Sequence, residues 1–574
     1  MARLAVFFTA FLWLRQASAI AVPSSPPANA AAVDPSLVSV SIEFFAFPGY
    51  TELSGTNNCL ANLASLRGAQ PAIRIGGTTQ DRATYDPNLQ IPVNYTVASP
   101  ADAPTTLTYG PSFFTLASQL RGEVTVGLNR QLNNQANSLA AGSRAKQSMG
   151  NLFAIELGNE PDLYASSSPI ASGTGWSQSV DIASEAKWFT AMAPTTNVRD
   201  AAREHLPRSR VPVVEYENPG SEYWKRSVER DQDDIPPFIP AVGLRWGEHE
   251  PPQPDEPYYK AEASAAHGAS KSFFLGETNS ATCGGGGISS TFGAGLWIID
   301  YVLQSALIGV ERLYFHHGTI GNCAYCWWGQ NAVYSPYYGA VFVSEFLGTD
   351  GTKVAMLDNG TTAVAVYAVY SASNTPLRLL ILNSNYFDGT ETRSSTSVTF
   401  TGISTTSGTK QAKRLTAPAA TSRVDQGASV TIGGGGTFGT NCARTGTEGT
   451  EAVAVSGNAL TVTVQASEAL IVVFIKGLAT LIFHLSQLPV APPDVYRHNP
   501  GAAGWRCSGA HFLLSGQRQR YCCLIYADKE RNDFEDAFAS RKCPYAATDE
   551  AMSSLSREVH EDNTPESPSE DSYK

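Results

Sequence analysis

The sequence predicts an α/β protein in two parts: a (β/α)8 TIM barrel over residues 35–348, followed by an antiparallel β-sandwich over residues 349–478. Three observations lead there. Short apolar runs alternate with helix-forming stretches for about 310 residues, as parallel strands with crossover helices do. Two of these runs stop at a polar turn that carries a glutamate, Glu160 after Leu152-Phe-Ala-Ile-Glu-Leu157 and Glu277 after Ser272-Phe-Phe-Leu275. From about Thr349 the texture changes to short strands separated by Gly, Ser, Thr and Asn.

Taken in order, Leu37 to Phe45 alternates with Val38, Val40, Ile42 and Phe44 on one side, and Glu43 at its end. Asn58 to Arg67 is expected to be helical and to stop at Gly68. Ala72 to Ile75 is a strand running into Gly76-Gly77, Ser112 to Leu120 a helix, Val124 to Leu128 a strand and Gln135 to Met149 a helix. After the Leu152 strand, Ser177 to Ala191 is helical. Following the Ser272 strand, Thr291 to Ile308 is a long apolar helix, and Arg312 to Phe315 is a strand leading into His316-His317-Gly318. The second part is read as strands at Val364–Tyr370, Leu377–Leu382, Ser397–Phe400, Val430–Ile432, Leu460–Val464 and Ala469–Ile475, with Gly433 to Gly436 as a turn.

The chain has 574 residues, a net charge of −12 and a pI near 5.3, which is too acidic for a nucleic-acid-binding face. The N-terminus reads as a secretory leader, residues 1–19: Arg3, an apolar run from Leu4 to Leu14, then Ala17-Ser-Ala19. The run is too short to span a bilayer. The expected location is extracellular, with no membrane partner. Asn94-Tyr-Thr96 and Asn359-Gly-Thr361 are N-glycosylation sequons that fit this route. Nine cysteines (Cys59, Cys283, Cys323, Cys326, Cys442, Cys507, Cys522, Cys523 and Cys543) leave at least one unpaired. Cys323-Ala-Tyr-Cys326 suggests a local disulfide or separate long-range bridges rather than a redox motif. Residues 20–34 are expected to be a Pro/Ala linker.

Two regions do not fit. Between Pro194 and Lys260, 22 of 67 residues are charged and 11 are proline, where a barrel needs its fifth and sixth strands. Only Val211-Pro-Val-Val214 and Pro240-Ala-Val-Gly-Leu244 are candidates. Residues 479–574 are atypical and expected to be a disordered tail with an acidic end. An imperfect gene model, such as a retained intron, would account for both.

Glycoside cleavage needs one carboxylic acid to protonate the leaving oxygen and a second carboxylate to attack the anomeric carbon. Glu160 is assigned as acid/base and Glu277 as nucleophile. Asn159 is placed to hydrogen-bond the sugar 2-hydroxyl. Glu43 ends the first strand and points a third carboxylate into the same mouth. Arg74 and Asp81 form a structural ion pair or position Glu277. His316, His317 and Tyr325 are expected to border the sugar, with Tyr325 as the donor for a substrate carboxylate. The histidines have no third ligand at metal spacing, so neither metal nor cofactor is expected. Trp327 and Trp328 read as a stacking wall or core.

The blocks Ser41-Ile-Glu-Phe-Phe-Ala-Phe-Pro48, Ile73-Arg-Ile-Gly-Gly-Thr-Thr-Gln-Asp-Arg-Ala-Thr-Tyr85, Glu156-Leu-Gly-Asn-Glu-Pro-Asp-Leu-Tyr164, Leu275-Gly-Glu-Thr-Asn-Ser280 and Ser335-Pro-Tyr-Tyr-Gly339 resemble fungal members of glycoside hydrolase family 79, which includes β-glucuronidases and heparanases. The resemblance implies a (β/α)8 barrel with a C-terminal β-sandwich, net retention, Glu160 and Glu277 in the stated roles, and sugar binding by Glu43. The expected substrate is a saccharide bearing β-linked glucuronic acid or its 4-O-methyl form. The alternatives are a β-glucosidase or β-xylosidase, a non-catalytic carbohydrate-binding barrel, and a surface structural protein. Oligomeric state is not legible.

Overall fold

In the computed structural model, the structure describes residues 19–173, 175–196, 263–264, 266–268, 271–281 and 285–474, with two further short strands at 511–514 and 517–520. The chain divides into two units, Met1–His484 and Leu485–Lys574. The described part of the second is a hairpin pairing His511–Leu514 with Gln517–Arg520. Val211–Val214 and Pro240–Leu244 lie outside the described residues, as do Cys283, Cys507, Cys522, Cys523, Cys543 and the remainder of the expected tail.

Six strands form one wholly parallel sheet, in the order Phe274–Thr278, Arg312–His317, Val38–Glu43, Ile73–Gly76, Val124–Leu128, Leu152–Leu157. This is the cyclic order of a βα repeat, opened between Leu157 and Phe274. Its two edge strands flank the residues that are not described. The Val38–Glu43 strand is buried on both faces. Val38, Val40 and Ile42 join the hydrophobic core, while Ser39, Ser41 and Glu43 alternate with them on the opposite face. Small hydroxyl residues on that inner face leave space for Arg74, whose NH1 donates to Ser41 Oγ at 3.1 Å.

The helices follow the expected pattern with shifted ends. Ser54–Arg67 ends at Gly68, whose φ of 69° is the left-handed cap conformation that glycine adopts without a Cβ penalty. Phe292–Leu307 begins at Thr291, whose hydroxyl accepts from the Ala294 N–H, and is buried on nearly all sides. The helix Ser335–Leu347, which was not among those expected, packs against it and is equally buried.

Against the Phe292–Leu307 and Ser335–Leu347 helices packs an 11-stranded sheet built mainly from residues 353–473. Val366 and Ala368, on the strand third from one end of this sheet, share a core with Val398, Phe400, Val462 and Val464 from strands near its opposite end, so the sheet curls over on itself into two layers. The alternate residues Ala365, Tyr367 and Val369 belong instead to the core of the α/β region. One strand thus serves both cores. The joint is also polar: Arg378 donates to the Phe346 and Leu347 carbonyls at 2.7 and 3.0 Å, and Gln304 donates to the Tyr367 hydroxyl at 2.6 Å. A disulfide joins Cys59 on the Ser54–Arg67 helix to Cys442 across 383 residues.

One expectation is corrected here. Residues 20–34 are not a free linker. Ile20–Ala21 pairs in parallel with the Ser395–Thr401 strand, and Ala31–Ala32 pairs antiparallel with Lys353–Met356. They occupy the two ends of the large sheet, where unpaired strand edges would otherwise be exposed.

Candidate active site

Every residue singled out for chemistry lies at the carboxyl ends of the parallel strands or just beyond. Arg74, from the Ile73–Gly76 strand, is the centre of the arrangement. It is 1 % exposed and all five of its N–H groups are engaged. Nε and NH2 donate to the two oxygens of Glu156 at 2.7 and 2.5 Å. NH1 donates to Glu277 Oε2 at 2.8 Å and to Ser41. NH2 also donates to Asn159 Oδ1 at 2.8 Å. Asn159 Nδ2 in turn donates to Glu160 Oε2 at 3.3 Å. A continuous chain of hydrogen bonds therefore runs from Glu277 through Arg74 and Asn159 to Glu160.

The backbone around Glu160 is shaped for this. Gly158 has φ 87°, and a Cβ there would stand 2.3 Å from the Tyr164 hydroxyl. Glu160 itself has φ 42° and ψ 58°, an uncommon conformation for a side-chain-bearing residue, of the sort that clusters at working sites. Asp81 stabilises the turn. It accepts from the backbone N–H groups of Arg130 at 2.9 Å, Gln131 at 3.2 Å and Asn159 at 2.8 Å, and from the Tyr164 hydroxyl at 2.5 Å. Burial pushes the Asp81 carboxyl up, more strongly than these four donors pull it down. The expected alternative of an Arg74–Asp81 ion pair is thus corrected: Arg74 reaches Glu277 directly, and Asp81 anchors the loop that carries Asn159.

Glu43 Oε1 accepts from the Thr79 N–H at 3.0 Å and the Thr79 hydroxyl at 2.5 Å, and its Oε2 lies 3.4 Å from His316 Nε2. Burial would raise its carboxyl, but His316 and Thr79 outweigh it and hold the group below the usual carboxylate range. Gly77, at φ 104°, gives the carboxylate its space: a Cβ there would lie 2.5 Å from Glu43 Oε2.

His316 does not stand free at the rim. It is buried between two carboxylates, with Nδ1 at 3.6 Å from Glu277 Oε2 and 3.0 Å from Ser41 Oγ, and Nε2 facing Glu43. Burial depresses its basicity and Arg74 repels its charge, yet Glu277 and Glu43 prevail and hold it above the ordinary imidazole value. His317 is a correction. It is fully buried, its Nδ1 donates to the Phe315 carbonyl at 3.2 Å, and its Nε2 accepts from the Trp327 N–H at 3.1 Å. Burial brings it down to about 3, so it is a neutral core residue. Trp327 and Trp328 are fully buried beside it and belong to the core.

Tyr325 sits between the two cysteines of the Cys323–Cys326 disulfide. Its ring lies 6.0 Å from that of His316, and a Cβ on Gly318 would come within 3.1 Å of its hydroxyl. The loop is tied down by the Gly318 N–H donating to Cys323 Sγ at 3.3 Å and by the Tyr50 hydroxyl donating to the Gly318 carbonyl at 3.0 Å. The residues that sequence reasoning left without a role are Glu156, Ser41 and Tyr164. Glu156 lies inside an apolar strand, and the signal that could have found it is a buried charge in need of a partner. Among the described residues no group of three or more His, Cys, Asp or Glu side chains could hold a metal ion.

A parallel α/β sheet with two glutamates linked through one arginine at its carboxyl ends, backed by a β domain, is the layout that glycoside hydrolysis calls for. The model of the glycosyl hydrolase family 79 C-terminal beta domain matches residues 366–471. A β-glucuronidase from Aspergillus niger is 31% identical over 427 residues, covering 66% of this chain and 77% of that one. A β-glucuronidase from Neurospora crassa is 28% identical over 434 residues, covering 65% and 75%. The crystal structure of a 4-O-α-L-rhamnosyl-β-D-glucuronidase from Fusarium oxysporum, solved as a Rha-GlcA complex, is 42% identical with a TM-score of 0.69, covering 79% of this chain and 99% of that one. The chain belongs to glycoside hydrolase family 79 and is a β-glucuronidase-like enzyme.

Proposed function

We propose that this enzyme removes β-linked glucuronic acid from saccharide or glycoconjugate side chains with net retention, using Glu277 as nucleophile and Glu160 as acid/base. The observation that carries the reading is the hydrogen-bond chain from Glu277 through Arg74 and Asn159 to Glu160. Arg74 holds one Glu277 oxygen in place, as attack on the anomeric carbon requires. Glu160 protonates the departing oxygen. Once Glu277 is esterified its charge is gone, the Glu160 carboxyl becomes more acidic, and it deprotonates the incoming water. Glu43, and the Asn159 amide hydrogen not used on Glu160, serve the sugar hydroxyls. Tyr325 donates to the glucuronate carboxylate. A closed eight-stranded barrel is part of this proposal and requires two more strands between Leu157 and Phe274.

The 42% identity to a rhamnosyl-glucuronidase favours a second form of the same reading, in which the glucuronic acid carries a 4-O-rhamnosyl cap when it is cleaved. Secretion and glycosylation also belong to the proposal. Its supports are the apolar leader, two disulfides, and the exposed sequon residues Asn94 and Asn359. Among the described residues no helix is long and apolar enough to cross a membrane.

The test is hydrolysis of an aryl β-D-glucuronide, an aryl β-D-glucoside and a 4-O-rhamnosyl-glucuronide by the purified chain, with Glu277→Ala and Glu160→Ala alongside. Release of glucuronic acid, capped or uncapped, is expected, with losses of at least about 10²-fold in either variant. Turnover of the glucoside alone would overturn the substrate. A Glu277→Ala variant that retained full activity would overturn the mechanism.

A further inference from the structure

We propose that Glu156 is a positioning residue for the catalytic pair: it grips the Arg74 guanidinium from below, so that the other N–H groups of the same cation point at Glu277 and at the Asn159–Glu160 arm. The proposal rests on the reading of Glu277 and Glu160 given above.

The geometry is specific. Two parallel bonds, from Nε at 2.7 Å and from NH2 at 2.5 Å, engage both Glu156 oxygens. Such a fork fixes the guanidinium plane, which a single bond would leave free to rotate. With the plane fixed, NH1 meets Glu277 Oε2 at 2.8 Å and the second NH2 hydrogen meets Asn159 Oδ1 at 2.8 Å. Glu156 holds its place because it lies inside the Leu152–Leu157 strand, and its register neighbour on the next strand is Gly127, which has no side chain to displace it. The Glu156 side chain is 5 % exposed and that of Glu277 is 32 % exposed. The first is therefore out of reach of a sugar, and the second is not.

Charge gives Glu156 a second effect. An uncompensated buried arginine beside the nucleophile would bind the Glu277 carboxylate tightly and blunt its attack. Glu156 neutralises Arg74, so that Glu277 is aimed without being quenched. The charged and titratable groups around the pair are Arg74 on the Ile73–Gly76 strand, Glu277 on the Phe274–Thr278 strand, His316 on the Arg312–His317 strand, Glu43 behind His316, and Glu160 beyond its own strand. Removing one negative charge from this set makes the remaining carboxyls more acidic.

The test compares Glu156→Gln and Glu156→Asp with the parent on an aryl β-D-glucuronide, reading kcat, KM, the pH profile of kcat/KM and Tm. Glu156→Gln keeps the shape and loses the charge. Its kcat is expected to fall by roughly 10- to 100-fold, the order of loss that an ångström of misplacement causes. KM should change little, and both limbs of the pH profile should move to lower pH. Glu156→Asp keeps the charge but cannot span the fork, so its pH limbs should return towards the parent's while kcat stays low. A reduced Tm with unshifted limbs and parental kcat in both variants would mean that Glu156 only supports the fold, and would overturn the proposal. If Glu156→Gln fails to fold, the kcat of folded Glu156→Asp decides alone: a reduced kcat with little change in KM sustains the proposal, and a parental kcat overturns it. A parent that hydrolyses no β-glycoside overturns the functional reading together with this proposal. An active parent matched by its Glu156 variants overturns this proposal alone.

Discussion

At the scale of residues, the site is a balance of buried charges. Glu43 and His316 titrate in opposite senses. The Glu43 contribution to stability is present above the ordinary carboxylate value near 4.5 and lost as pH falls through its lower folded value. The His316 contribution is complete below 6.5 and lost as pH rises through its raised folded value. Together they stabilise most between these limits. His316→Gln should therefore lower Tm in that window, and the gap to the parent should narrow on the alkaline side, where the parent imidazole has lost its proton. Melting curves across pH check this, and a constant gap would contradict it. The placement of Glu160, Glu277 and Asn159 at strand ends was legible because each follows an apolar run that stops at a polar turn. The Glu156–Arg74 pair was not, because strand periodicity assigns a residue to a face and says nothing of a partner 82 positions away.

At the scale of elements, the most consequential piece is the short loop after the Arg312–His317 strand. The Cys323–Cys326 disulfide fixes both neighbours of the Ala324-Tyr325 dipeptide, and contacts from Gly318 and Tyr50 anchor the ring so formed. If Tyr325 binds the glucuronate carboxylate, replacing both cysteines by serine should raise KM for an aryl glucuronide several-fold with little change in kcat, as should Tyr325→Phe. Replacing Cys59 and Cys442 should instead lower Tm and spare KM, since that bridge closes a 383-residue separation worth on the order of 5 kcal/mol in chain entropy. Steady-state kinetics beside calorimetry separates the two, and equal KM effects would refute the assignment. The parallel strands were legible from their apolar runs. Ser407–Thr416 was not: only Ala412 and Leu415 in its ten residues are buried, so its polar sequence carries no strand signal.

At the scale of the whole molecule, the α/β region and the β domain share residues, carbonyls and a disulfide, and the N-terminal segment seals both ends of the large sheet. Two-residue strands have no periodicity to read, which is why 20–34 looked like a linker. Deleting residues 20–34 should lower Tm by several degrees and promote association through the bared edges, read by calorimetry and light scattering. An unchanged Tm would show that the pairing contributes nothing.

The most direct test of the central claim is to trap the glycosyl-enzyme with a 2-fluoro-β-glucuronyl fluoride and map the labelled peptide by mass spectrometry. A single glucuronyl adduct on Glu277, absent in Glu277→Ala, is the result this account predicts. An adduct on another residue, or turnover of the natural linkage with inversion and no adduct, would contradict it.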